Sequence, residues 1–103
     1  MIFIETSIFT RQVLELLTDE EYAVFQSRLA ANPLAGDVIE GTGGLRKVRV
    51  AAKGKGTRGG ARVIYYHVSS AAQIRLLLVY AKGRKDDLSA DEKRTLCGLN
   101  ERW

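Results

Sequence analysis

One cysteine, one histidine and one proline occur in the 103 residues, and the first two scarcities each close off a class of protein. Cys97 alone forms neither an internal disulfide nor a multi-cysteine metal site, so it reads as core, and a reducing cytoplasm is the expected compartment. His67 has no second histidine to share a metal with, which leaves no constellation of usable ligand spacing; no metal or cofactor is expected. No nucleophile elbow or matching local signature supports a Ser-His-Asp or Cys-His arrangement, so His67 reads as an ordinary strand residue. Apolar runs are too short for a membrane helix, and Met-Ile-Phe-Ile-Glu at the start lacks a basic region and a long apolar stretch, so no membrane partner or export is expected. With no internal repeat and no low-complexity segment, residues 1–103 are expected to form a single domain.

The most informative absence is that of acid. Met1 to Glu40 holds two basic and seven acidic residues, whereas Gly41 to Lys85 holds eleven Lys or Arg and no Asp or Glu; Asp86 to Trp103 returns to a balance of −2. Solubility does not require acids to be excluded from the middle of a chain. An uninterrupted basic block inside a folded domain is the footprint expected of a phosphate-binding surface.

Periodicity supplies the elements. Ile2-Phe3-Ile4 suits an edge or buried strand, and Thr6 or Ser7 can cap a helix that turns Phe9, Val13 and Leu16 or Leu17 inward. Thr18 with Glu21 forms a capping box for a second helix carrying Tyr22, Phe25 and Leu29, stopped at Asn32-Pro33, so the two helices make a hairpin. Pro33 to Gly44 is a loop. Leu45 to Val50 alternates apolar with basic residues, a half-buried strand that puts Lys47 and Arg49 on one face and Val48 and Val50 on the other. After the basic stretch Lys53 to Gly60, Ala61 to Val68 and the more apolar, central Gln73 to Ala81 form two further strands. Ser89 with Glu92 is a second capping box, opening a last helix through Leu96 and Leu99 toward Trp103. The expected fold is therefore α+β: an N-terminal strand and helical hairpin packed on an antiparallel β-sheet, with a C-terminal helix. Helices are expected on one face, leaving the other for Lys47, Arg49, Arg62 and Lys82 to converge.

Gly-Thr-Gly-Gly-Leu-Arg-Lys at residues 41–47 lacks both the spacing of a nucleotide-binding loop and the helix that would follow one. What is abundant is Arg and Lys, and cations stabilise the extra negative charge of a phosphodiester in its transition state. RNA carries its own nucleophile in the 2′-hydroxyl, so a metal-free ribonuclease needs a base, an acid and cationic clamps. Lysines clustered together depress one another's pKa, which would let Lys47, Lys55 or Lys82 serve as base. Tyr65, Tyr66 and Tyr80 interleave with the cations; Tyr65 and Tyr66 must face opposite ways, so one packs in the core and the other is available to stack on a base.

Gly36-Asp37-Val38-Ile39, Gly41-Thr42-Gly43-Gly44-Leu45-Arg46-Lys47 and Gly59-Gly60-Ala61-Arg62-Val63-Ile64-Tyr65-Tyr66, in this order, resemble HigB-type toxins of the RelE superfamily, and the resemblance spans nearly the whole chain. It implies a RelE-like fold and the toxin of a type II toxin-antitoxin system, an mRNA interferase. Such an enzyme cuts mRNA in the ribosomal A site without a metal and is held by a DNA-binding, HigA-like antitoxin. By position, Arg62, Lys47, Arg49 and Lys82 look like the family's basic active-site residues, with Arg62 as transition-state clamp. Lys53, Lys55, Arg58 and Arg84 look like RNA contacts, with Tyr66 as a stacking residue. RelE carries a tyrosine after its last strand where this chain reads Lys85-Asp86-Asp87-Leu88-Ser89, so either Tyr80 or Tyr66 substitutes or the ribosome supplies more of the catalysis. A ParE-like gyrase inhibitor, which shares the fold, and a non-catalytic nucleic-acid binder are the alternatives.

Overall fold

The computed structural model describes residues 1–53, 60–83 and 87–103. Its elements run β1 (Ile2–Glu5), α1 (Ser7–Leu16), α2 (Asp19–Ala31), β2 (Asp37–Val38), β3 (Arg46–Val50), β4 (Ala61–Val68), β5 (Gln73–Ala81) and α3 (Ala90–Glu101), with a 3-10 turn, Ser69–Ala71, joining β4 to β5. The strands form one five-stranded sheet in the order β1-β5-β4-β3-β2, and the α+β class is as the sequence implies. Among the described residues no helix is long and apolar enough to cross a membrane.

The sheet is mixed rather than antiparallel throughout. β3, β4 and β5 form the expected antiparallel meander, but β1 lies parallel to β5, Ile2 beside Gln73 and Glu5 beside Leu76. Parallel pairing needs a long crossover, and the whole intervening chain, helices included, supplies it. β2 sits inside the stretch expected as loop, because two residues are too few to display an alternation.

Caps hold the helices where the sequence places them. The Thr6 hydroxyl accepts from the Phe9 N–H at 3.1 Å, and both capping boxes, Thr18 with Glu21 and Ser89 with Glu92, are formed. The helical hairpin covers one face of the sheet, where Phe9, Val13, Phe25 and Leu29 pack on Val48, Val63, Tyr65 and Ile74. The second face is not left free. α3 covers part of it, with Leu96 packing among Leu45, Ile64 and Leu77. Leu45, Ile64 and Leu77 would otherwise be an exposed apolar patch of the kind soluble chains avoid, which is why this face is partly roofed.

A register shift in β5 decides what that second face carries. Ile64 pairs with Leu78 but Tyr65 pairs with Leu76, so Leu77 is an extra residue on β5. Leu76 and Val79 accordingly turn to the hairpin, while Leu77, Leu78 and Tyr80 all turn toward α3. The α1 cap is tied to this bulge, since the Thr6 hydroxyl also donates to the Leu77 carbonyl at 2.9 Å.

At the opposite edge, Tyr65 anchors the loop leading into β2. Its hydroxyl donates to the Pro33 carbonyl at 2.7 Å and accepts from the Gly36 N–H at 2.9 Å. A Cβ at Gly36 would lie 2.8 Å from the Lys47 carbonyl oxygen, so only glycine lets the loop come this close to β3. Arg46, on the hairpin side, closes the same loop by donating to the Gly36 carbonyl at 2.7 Å.

Candidate nucleic-acid interface

Arg49 of β3 lies directly opposite Arg62 of β4, and Arg62 directly opposite Tyr80 of β5, one row across three strands. Paired Cβ atoms of antiparallel neighbours stand about 4.5–5.5 Å apart. Val48 and Val50 turn to the hairpin, so Lys47 and Arg49 project on the α3 face, as does Tyr80. Lys82 is exposed two residues beyond Tyr80, its N–H bonded to the Gly60 carbonyl at 3.0 Å. The five residues expected to carry the chemistry are thus brought to one end of this face: Lys47, Arg49, Arg62 and Lys82 reach its surface, while Tyr80 lies buried beneath, packed with Leu88 and Leu96.

Two guanidiniums in direct cross-strand register repel each other, and such a pair destabilises a sheet. The arrangement suits an anion bound between them, with the Arg forks giving several donors to phosphate oxygens.

A further cation joins that sequence reasoning missed. Arg28, in the last turn of α2, donates to the Arg49 carbonyl at 2.8 Å. β2 pairs only with Arg46 and Lys47, so from Val48 onward the edge of β3 is not covered by β2. Arg28, Lys47, Arg49 and Arg62 line a cleft of about 690 Å³ at this edge, together with Asp37. A basic residue near a helix C-terminus was visible as a type, but its reach to a strand edge is a tertiary matter.

The remaining candidates lie elsewhere. Lys53 follows β3 on the side of α2, where its N–H donates to a Glu21 carboxylate oxygen at 2.8 Å. Tyr66 is four residues along β4 from Arg62, about 13 Å away at strand rise. It packs beneath the Arg75 guanidinium, which sits 5.8 Å from its ring centre and 5.0 Å from that of Trp103, while Arg75 also donates to Asn100. That cluster pins the C-terminal end of α3 to the sheet. Lys55, Arg58 and Arg84 lie outside the described residues. Leu88, where the resemblance would put a tyrosine, is buried in the second core at 6% exposure. No family model matches the chain.

Electrostatics at the row centre on Tyr80. It is 6% exposed, and burial, then the nearby Asp87 carboxylate, push its phenol above the ordinary tyrosine value while Arg62 pulls it down. Tyr80 therefore stays neutral through the physiological range, with its hydroxyl buried at the base of the row beside Leu88 and Leu96. Lys47 Nζ stands 3.4 Å from Asp87 Oδ1. The Leu88 N–H bonded to that carboxylate, and after it Lys47, hold Asp87 below the usual carboxylate range.

Burial likewise raises Tyr65, and burial with the Glu5 hydrogen bond raises Tyr22. A group whose folded pKa is raised contributes stability that is present below its unfolded value and lost as pH climbs toward the folded one. The protein is expected to lose stability on the alkaline side of about pH 10, the unfolded tyrosine value. Urea midpoints taken from pH 8 to 11 check this, and a flat profile across that window would contradict it.

Proposed function

We propose that the chain is a RelE-like, HigB-type toxin, a ribosome-dependent endoribonuclease that cuts mRNA in the A site and is restrained by a cognate antitoxin. The observation that carries the proposal is the row Arg49-Arg62, flanked by Lys47 and Lys82, with the buried Tyr80 next in register behind Arg62. The 2′-hydroxyl of the mRNA gives its proton to a base and attacks the adjacent phosphorus, forming a 2′,3′-cyclic phosphate as the bond to the 5′-oxygen breaks; the cations stabilise the added negative charge, and Tyr80, next to the clamp, is the proton source for the leaving 5′-oxygen. The row supports Tyr80 over Tyr66 for the position the family fills with its own tyrosine, since Tyr66 is committed to Arg75. A basic cleft of this kind is masked well by an acidic or extended antitoxin segment.

The test is primer extension on an mRNA under translation in a purified system. Cuts within codons at the A site, seen only with ribosomes, are the expected result. Intact mRNA with normal translation would sink the reading and direct attention to gyrase supercoiling. Tyr80→Phe keeps the ring packing and removes the donor, so its cleavage rate is expected to fall about 100-fold. Cleavage at the wild-type rate would remove Tyr80 from the chemistry.

A further inference from the structure

Asp87 is the one carboxylate, among the described residues, that forms an ion pair with the cation row, and it does so at Lys47. Its side chain is 65% exposed and that of Lys47 is 32% exposed. The carboxylate is oriented from behind by the Leu88 N–H at 2.9 Å, and Leu88 is itself buried in the second core, so the acid is held over the row. Asp87 also acts on Tyr80 through its charge. A carboxylate bonded to an ammonium beside two guanidiniums occupies the kind of position a phosphate oxygen would take. An exposed ion pair is weak, so a phosphate diester can displace it.

We propose that Asp87 is an internal counter-anion: it neutralises Lys47 in the empty site, and the RNA backbone enters by exchange, its phosphate taking Lys47 as the Asp87 carboxylate is released to solvent. This rests on the cation row being the phosphate seat. Exchange has a measurable signature. In the native protein, binding releases counterions from the nucleic acid, but the freed Asp87 takes up a cation from solution. Removing its charge abolishes that uptake and steepens the salt dependence.

The probe is a short single-stranded oligodeoxynucleotide, which has no 2′-hydroxyl and so is bound without being cut, followed by fluorescence anisotropy at several salt concentrations. Asp87→Asn is expected to bind about two- to fivefold more tightly than wild type, the range a weak exposed ion pair allows. Its plot of log affinity against log salt should be steeper, by at most about 0.7 unit, the value for one phosphate of a single strand. In a Lys47→Met background the same Asp87→Asn change should have little effect, because the exchange partner is gone; a general long-range charge effect would persist there. Unchanged or weakened binding by Asp87→Asn, or full persistence of its effect without Lys47, overturns the proposal. If wild type binds and Arg62→Ala weakens binding while Asp87→Asn does nothing, only the role of Asp87 fails. No binding by wild type would overturn the phosphate seat as well.

Discussion

Arg62→Ala is expected to slow ribosome-dependent mRNA cleavage by about 10²- to 10³-fold, the loss that follows removal of one preorganised donor to a developing oxyanion. Arg62 holds the middle of the row, between Arg49 and Tyr80, and its Nη1 donates to the Ala61 carbonyl at 3.1 Å, which keeps the guanidinium near its own strand. The side chain is only half-buried, and its removal relieves the repulsion with Arg49. Stability is expected to shift by about 1 kcal/mol or less even as activity collapses, a combination that separates a functional residue from a structural one. Quantifying cut mRNA against time at saturating ribosome concentration, with a urea melt of the same preparation, measures both. Cleavage at the wild-type rate would take Arg62 out of the chemistry; reduced binding at an unchanged cleavage step would make Arg62 a binding residue rather than the transition-state clamp.

Neighbouring residues of α2 are expected to part company just as sharply. Leu29 is fully buried in the core under the helical hairpin, whereas Arg28 is exposed and reaches the Arg49 carbonyl. Leu29→Ala leaves a cavity and is expected to cost about 2–5 kcal/mol, a large part of the roughly 5–15 kcal/mol that keeps a domain folded. Arg28→Ala is expected to shift stability by roughly 0.5 kcal/mol, as for other exposed positions, while lowering mRNA cleavage through the lost cation at the cleft. Urea unfolding followed by circular dichroism, beside the cleavage assay, gives the two readouts. A Leu29→Ala protein as stable as wild type would contradict the packing of α2, and full activity in Arg28→Ala would remove that residue from the site.

Much of this protein is determined locally and so is legible in its sequence. The two capping boxes and the Thr6 cap begin helices at the expected residues because each needs only side chains three positions apart. The alternation Lys47-Val48-Arg49-Val50 sorts cations from core by a period of two, a property of any strand. The opposition of Tyr65 and Tyr66 follows from the same rule, though which of them is core does not. That is settled by Gly36, whose lack of a side chain lets a distant loop reach the Tyr65 hydroxyl.

What only tertiary structure decided concerns partners far apart in the chain. Parallel pairing of β1 with β5 joins residues some seventy positions apart, as Ile2 with Gln73 shows, and no local pattern encodes it. Roofing of the second face by α3 depends on apolar residues of three separate elements finding one another. The Leu77 bulge is the sharpest case: without it, the period of two would send Tyr80 to the same side as Leu76, among the helices of the hairpin. One extra residue inverts that parity and sets Tyr80 beside Arg62. A bulge has no signature in composition or alternation within an apolar run such as Leu76-Leu77-Leu78, because every residue there is equally suited to either face. The choice is made by what packs on each side and by the Thr6 hydroxyl that holds the Leu77 carbonyl.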